Sequence, residues 1–471
     1  MKGEKVVQGS QIGMETGTTQ LMRNGRACAA SLAGAGVACM MLAIPTPVLA
    51  QAAPQRVTVQ APSPGTRFEP PPGAVFDDPN RVFGDEAPVF APFAIVGALG
   101  LRPYASLQTT FDNNLARQPD GAPLSPRFNS KSDWVFRPAA GIRAEQLVGR
   151  QRLFANASIG RSINARNSQL NNNRINVGGG AGLVLGRWCG GQIFAGYSRR
   201  DALLGSFEEA AAAIAESTTF SASANCATAT GITASVGYNR GWNNNRTSDP
   251  TVDRSFADAE SQSVNGSLGY RVGVRGQVGV SASWGENVFP NQLILGEENA
   301  NTVTSYSLFG SYRIGSALRA NASIGRSRVS SSIPGSQEFS GGTWNLGVGY
   351  SGPRLGANIT FAQGVNGGGN QAANFAISRS FIASSTYRLN DAIRLSAGIA
   401  RVRQDFRGNV FLPDTTQLRE VTDDRVFLGA NYRLNRILSF SLDLNHQRRS
   451  TSPDNFSFRS SQATLGIAAS F

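Results

Sequence analysis

The sequence predicts an all-β fold, a transmembrane antiparallel up-and-down β-barrel of about 18 strands, with 16 as the alternative count. Three observations predict it. From Leu101 to Phe471, segments of about ten residues alternate apolar and polar side chains, with turn residues between them. The connectors between segments alternate short and long, and aromatic residues collect at both ends of the apolar face.

Composition bounds the alternatives. The 471 residues carry a formal net charge of +13, and lysine occurs only at Lys2, Lys5 and Lys131, so the basic excess is arginine. These arginines are spread along the whole chain. A nucleic-acid binder gathers its Lys/Arg on one stripe or patch, so nucleic acid is not the expected partner.

The chain divides into three parts. After Arg23 and Arg26 the apolar run "ACAASLAGAGVACMMLAI" leads into "PTPVLAQAAP", where Val48 and Ala50 satisfy the small-residue cleavage rule. Residues 1–50 therefore read as a cleaved signal peptide. A membrane anchor is the rival reading, disfavoured by the Ala and Gly content and by the prolines that end the run. Residues 51–97, with "APSPGTRFEPPPGAVFDDP", are too rich in proline to pack and read as a flexible periplasmic segment. Residues 98–471 form the barrel, and no stretch there approaches the roughly 18 apolar residues of a membrane helix.

Strands are expected to begin near Leu101, Asp133, Leu153, Arg174, Gly191, Thr219, Ile232, Ser263, Val278, Thr302, Leu318, Thr343, Leu355, Ala373, Ile393, Arg425, Ile437 and Ser461. After even-numbered strands the links are short: "VGRQ", "LGRWC", "ATG", "RVGVRGQ", "RIGSA", "SGPR", "RLNDA" and "RLNR". After odd-numbered strands they are long and polar, among them "NNLARQPDGAPLSPRFNSK", "RRDALLGSFEEAAAAIAES", "ENVFPNQLILGEENAN" and "GVNGGGNQAAN". Short periplasmic turns alternating with long external loops are the habit of outer-membrane barrels. A soluble β-sandwich has no reason to sort its loops by length.

The side chains sort as well. One face carries Leu153, Ala155, Ala157 and Ile159, then Leu318, Ala320, Ala322 and Ile324, then Leu438, Phe440, Leu442 and Leu444. The other carries Asn156, Ser158, Arg319, Asn321, Ser323, Ser439, Ser441, Asp443 and Asn445. Tyr270, Tyr312, Tyr350, Tyr387 and Tyr432 sit at the lower ends of even strands on the apolar face, and Tyr197, Tyr238, Trp284 and Phe361 at the upper ends of odd strands. Two aromatic girdles around an apolar band mark a lipid-facing surface. In strand fourteen, "NFAISRSFIASS" puts Arg379 on the apolar parity unless a bulge intervenes.

The final segment "ATLGIAASF" alternates to its last residue, so it is expected to pair with the first strand and leave no edge open in lipid. With its terminal Phe471 it also resembles the insertion signal of outer-membrane proteins, which implies delivery by the barrel-assembly machinery. The mature chain as a whole resembles the outer-membrane β-barrel porin families of Gram-negative bacteria. It is particularly similar to the beta-barrel porin 2 type, whose first strand runs into an acidic, Asn-rich turn like "FDNNLAR" here. The resemblance implies an association with exopolysaccharide production and secretion, and so polysaccharide export components as partners.

Parity points Arg102, Arg137, Arg143, Arg174, Arg240, Arg271, Arg275, Arg313, Arg319, Arg394, Arg425 and Arg433 into the lumen. They either brace the wall against acids such as Asp443 or make a positive lumen that attracts anions. The third external loop strings helix-formers with Glu208, Glu209 and Glu216 in "FEEAAAAIAES". It either folds inward as a constriction, as in general porins, or lies as a short helix over the mouth. Arg161, Arg199, Arg326, Arg401, Arg403 and Arg448 point outward above the upper girdle, Arg161 and Arg326 each within a repeated "ANASIGRS". Their partners there are lipopolysaccharide phosphates or solvent. Cys189 and Cys226 meet at the periplasmic end, as a disulfide or as two thiols.

An enzyme is not expected. The rival hydrolase reading rests on His446, the only histidine, beside Ser461 on the next strand, and no nucleophile motif accompanies them. With Cys28 and Cys39 expected to leave with the signal peptide, the remaining two Cys and one His do not build a usual metal site, and no cofactor is implied. A surface adhesin or receptor, or a structural barrel without an open pore, stands as the alternative to a channel.

Overall fold

The computed structural model describes residues 100–471 apart from 120, 125–127, 204–211, 248–254, 256–257, 295, 335, 337, 371–372, 408–418 and 453. Residues 1–50, expected to be a signal peptide, and the proline-rich segment 51–97 fall outside the described residues.

Eighteen strands follow one another: β1 Leu101–Asp112, β2 Asp133–Val148, β3 Gln151–Asn164, β4 Asn172–Leu185, β5 Cys189–Leu203, β6 Ala212–Ala227, β7 Ile232–Thr247, β8 Ala259–Val272, β9 Gly276–Ile294, β10 Glu297–Ile314, β11 Leu318–Ser331, β12 Phe339–Ser351, β13 Leu355–Asn370, β14 Ala373–Arg388, β15 Ile393–Arg407, β16 Glu420–Arg433, β17 Leu438–Ser452 and β18 Phe458–Ser470. Each pairs antiparallel with its neighbours in the chain, and β18 pairs with β1 from Gln462 opposite Asp112 to Ser470 opposite Tyr104. The barrel is closed. The backbone N–H of Phe471 donates to the carbonyl of Pro103 at 3.0 Å, so pairing runs to the last residue. Closure removes both sheet edges and satisfies the backbone within the wall.

The two faces are inverted relative to a water-soluble barrel. Ile159, Leu308 and Ile324 are 64%, 61% and 67% exposed on the outer face, while Thr110, Ser441 and Thr464 on the inner face are 2%, 4% and 4% exposed. An apolar exterior around a polar interior belongs in lipid. Tyr270, Tyr312, Tyr350, Tyr387 and Tyr432 are exposed on the outer face at the short-turn end, and Trp284 and Phe361 are exposed toward the loop end.

Turns at one end are tight, the widest being residues 228–231, 389–392 and 434–437. Gly273 and Gly315 turn the chain with φ of 61° and 66°, a left-handed conformation that a side chain resists. The other end departs from expectation. "ENVFPNQLILGEENAN" is mostly strand, with β9 and β10 running to Ile294 and from Glu297, and β13 and β14 extend to Asn370 and from Ala373. Continued cross-strand pairing satisfies these backbone groups better than an open loop would.

Candidate functional site: the lumen and its mouth

The register fixes which way each arginine points. Arg137, Arg143, Arg271, Arg313, Arg319, Arg394, Arg425 and Arg433 share the inner face with buried residues such as Thr110 and Ser441, as do Arg102 and Arg174. Arg275 lies in the turn between β8 and β9, its carbonyl accepting from the Arg313 N–H at 2.8 Å. Arg240 does not face the lumen. It lies opposite Phe220 on the lipid-facing parity of β7, 4.7 Å from the Trp242 ring and 3.9 Å from Glu260.

At the short-turn end, inward arginines confront one another across strand pairs. Arg102 lies opposite Arg143, Arg313 opposite Arg319 and Arg388 opposite Arg394. Among the described residues, Arg102, Arg143, Arg271, Arg319, Arg388 and Arg394 have no carboxylate within ion-pair distance, and Arg143 stacks 5.3 Å over Tyr104. Asp443, the acid expected to brace them, carries no ion pair among the described residues, and its Oδ2 has no hydrogen-bond partner there. Like charges placed opposite one another destabilise a sheet, and a polar wall of small side chains leaves water to screen them.

At the loop end the arrangement reverses. The segment after β1 turns inward at Arg117, a non-glycine residue with φ of 54°. Its Nη1 lies 3.1 Å from Asp112 Oδ2 and donates to the Asn114 carbonyl at 2.9 Å and to Ser460 Oγ. Burial, with Asp112 opposing it and the guanidiniums of Arg425 and Arg449 adding to it, holds the Arg117 pKa below its ordinary value. Arg449 grips Asp423 bidentately, Nε to Oδ1 and Nη2 to Oδ2 both at 3.0 Å. The Phe458 ring lies 5.6 Å from the Arg117 guanidinium and 5.2 Å from that of Arg449. Gln462 and Ser460 donate to Asp112, and Gln447 to Asp423.

Two hairpins leave the wall near this mouth. β12 and β13 stop pairing at Trp344 and Gln363, but β13 continues with β14. Above that point Val365 and Phe375 share the parity that faces lipid lower down, yet they are buried against Val303, Val329 and Phe339 of the inner wall. The hairpin is folded inward. On the inner wall of β9, Asn287 is 1% exposed with neither side-chain amide atom hydrogen-bonded among the described residues. β4 and β5 likewise stop pairing at Ile175 and Arg199, while β5 and β6 continue, and Asp201 of β5 accepts from Ser162 on the inner face of β3.

Glu208 and Glu209 lie outside the described residues. Glu216 corrects the sequence expectation. It is not in a loop but on β6, opposite Arg199 on the lipid-facing parity, 4.0 Å from Arg199 and 3.3 Å from Arg246. Pairing with β5 and β7 overrides the helix propensity of this Ala-rich stretch.

Arg161, Arg199, Arg326, Arg401 and Arg403 all point outward at the loop end. Most meet acids from neighbouring strands: Arg401 lies 3.4 Å from Asp424, and Arg403 2.8 Å from Glu420 and 3.3 Å from Asp405. Arg379 joins them without a bulge, donating to Gln363 at 3.0 Å and lying 4.0 Å from Asp405. Cys189 and Cys226, directly opposite across β5 and β6, are joined by a disulfide. His446 Nδ1 lies 2.8 Å from Ser461 Oγ on the outer face, but no carboxylate orients the ring among the described residues as in a Ser-His-Asp triad.

Sequence reasoning missed Asp112, Arg117, Asp423 and Arg449. The last two keep the inner parity of β16 and β17, so extending those strands upward in the sequence finds them. Arg117 is set by a loop conformation that no periodicity reports.

No family model matches the chain, and no curated protein matches it. Among solved structures it is similar to a BenF-like porin from Pseudomonas fluorescens Pf-5, at 13% identity and a TM-score of 0.44, over 80% of this chain and 100% of that one. OpdK of Pseudomonas aeruginosa, solved with vanillate, gives 11% and 0.44 over 79% and 99%. The siderophore receptor PirA from Pseudomonas aeruginosa gives 10% and 0.43 over 79% and 80%. At these scores the likeness adds nothing to the barrel that the strand pairing already establishes.

Proposed function

We propose that the protein is a porin-like outer-membrane channel whose arginine-lined lumen favours anionic or polar solutes. The carrying observation is the set of inward arginines at the short-turn end, where Arg102 and Arg143, Arg313 and Arg319, and Arg388 and Arg394 face each other and, among the described residues, no carboxylate pairs with Arg102, Arg143, Arg319, Arg388 or Arg394. Such positive walls draw anions from solution and repel cations. The short-turn end is the periplasmic side, so a solute leaving the cell meets this charge first. An anionic exopolysaccharide fits that order of events, and export components at the periplasmic mouth are its natural suppliers. In this reading a signal peptide delivers the chain, the barrel-assembly machinery recognises Phe471, and lipopolysaccharide phosphates face the outer arginines.

A second reading, a barrel whose path is closed at rest, is favoured by the inward-folded mouth. Single-channel recording of the refolded protein in a planar bilayer separates the two. Open anion-preferring steps are expected, with Arg271→Gln, Arg313→Gln and Arg319→Gln together lowering the anion preference several-fold, about 1 kcal/mol of selectivity. A folded barrel that never conducts sinks the open-channel reading.

A further inference from the structure

We propose that the outer face of β10–β12 is a binding site for one lipopolysaccharide molecule, with a phosphate on Arg326 and an acyl chain in the groove below it. Three rungs of the register build the site. Tyr306, Arg326 and Gly342 lie side by side, then Leu308, Ile324 and Trp344, then Gly310, Ala322 and Leu346. The two lower rungs line a groove of about 390 Å³. Its floor is small because Gly310 and Ala322 are small, and its walls are large apolar side chains that lie far outside any packed core.

Packing does not demand that floor. A Cβ on Gly310 would meet nothing nearer than the Gln277 carbonyl at 3.8 Å, and Gly310 is not among the positive-φ glycines. The glycine leaves room that the barrel itself does not use. Gly342 is equally open, a Cβ there meeting only the Gly325 carbonyl at 4.0 Å, so nothing beside Arg326 blocks an approach from outside.

Arg326, like Arg161 and Arg448, has no carboxylate within ion-pair distance among the described residues, and of these three it alone stands beside the groove. Arg199, Arg240, Arg328, Arg379, Arg401 and Arg403 on the same outer rim each lie within 4.0 Å of a carboxylate. Among the described residues Arg326 has only a hydrogen bond from Nε to Ser340 Oγ at 3.0 Å, which leaves the two terminal nitrogens of an exposed side chain without a partner there. A guanidinium with both terminal amines free matches a phosphate bidentately. Two residues down the strand is about 7 Å, the drop from a headgroup phosphate to the first methylenes of its chain. Arg326 lies on the loop-end side of the groove, toward the external leaflet in the channel reading on which this inference rests, and the phosphorylated acyl lipid of that leaflet is lipopolysaccharide.

Native mass spectrometry of the folded protein with purified deep-rough lipopolysaccharide tests it, with phosphatidylglycerol as the competing lipid. One retained lipopolysaccharide per barrel is expected, with retention falling about tenfold in Arg326→Gln and in Gly310→Leu, which fills the groove. Arg328→Gln, whose guanidinium is already paired with Glu338 at 2.8 Å, should retain it fully. Equal retention by Arg326→Gln and the unaltered protein overturns the site, as does displacement by equimolar phosphatidylglycerol. Gly310→Leu is read only where heat-modifiable mobility shows a folded barrel, and Arg326→Gln stands without it. Conductance recorded on the same samples should not change, so failure of this site and failure of the channel reading give different results.

Discussion

The two ends of the lumen treat the same residue in opposite ways. At the short-turn end Arg102, Arg143, Arg319, Arg388 and Arg394 line the inner wall, half-buried or exposed, with no acid within ion-pair reach among the described residues. At the loop end Arg117 and Arg449 are each 13% exposed in their side chains and each bound to a carboxylate. Water and mobile ions screen the first set, so in the proposed channel their charge faces passing solutes at little cost to the fold. The second set is out of water, where an unmatched charge costs several kcal/mol, and it holds the mouth in shape. In the proposed channel, arginine serves function at one end and architecture at the other.

Removing a guanidinium from the architectural end should therefore cost most. Arg449→Ala strands Asp423 among buried neighbours and is expected to destabilise the barrel by about 3–5 kcal/mol, read as a lower urea midpoint in refolding from detergent. If Arg449→Ala unfolds no earlier than Arg319→Gln, the two ends do not differ in the way their burial implies. Next in size is the inward hairpin. Phe375 is 2% exposed and its ring centroid lies 5.1 Å from that of Phe339, so Phe375→Ala should cost about 3 kcal/mol of hairpin seating. Because that cost falls on the hairpin and not on the wall, the expected readout is a larger single-channel conductance with little change in global unfolding. A smaller conductance would show that the hairpin holds the path open.

How much of this was legible in the sequence follows the same division. The wall is written in period-two alternation, because lipid on one side and water on the other impose it at every residue. That is why the eighteen strands, the short turns and the inward parity of Arg313 and Arg319 could be read directly. Parity also carried Arg240 to the wrong face, since a one-residue error in phase inverts every side chain of a strand. Above the membrane the rule lapses. Val365 and Phe375 keep the lipid-facing parity while packing inside the lumen, and Arg117 owes its position to one left-handed residue in a long connector. Ala212–Glu216 reads as helix by composition and is strand by pairing. Tertiary context decides these residues, and a single sequence holds no local record of it.

The smallest expected effect lies outside the lumen and sharpens the contrast from a third position. Arg403 is 49% exposed in its side chain and shares Asp405 with Arg379, which also lies on the outer rim. Solvent screens such a pair, and Arg379 keeps a hold on Asp405 when Arg403 is gone. Arg403→Gln should change stability by less than about 1 kcal/mol and leave ion selectivity unaltered. Removing a guanidinium then gives three outcomes at three places: loss of the mouth at Arg449, a lowered anion preference at Arg319 and its lumen neighbours, and neither at Arg403. A measurable selectivity change in Arg403→Gln would mean that the outer rim charge reaches solutes before they enter, and that the lumen arginines are not the only filter.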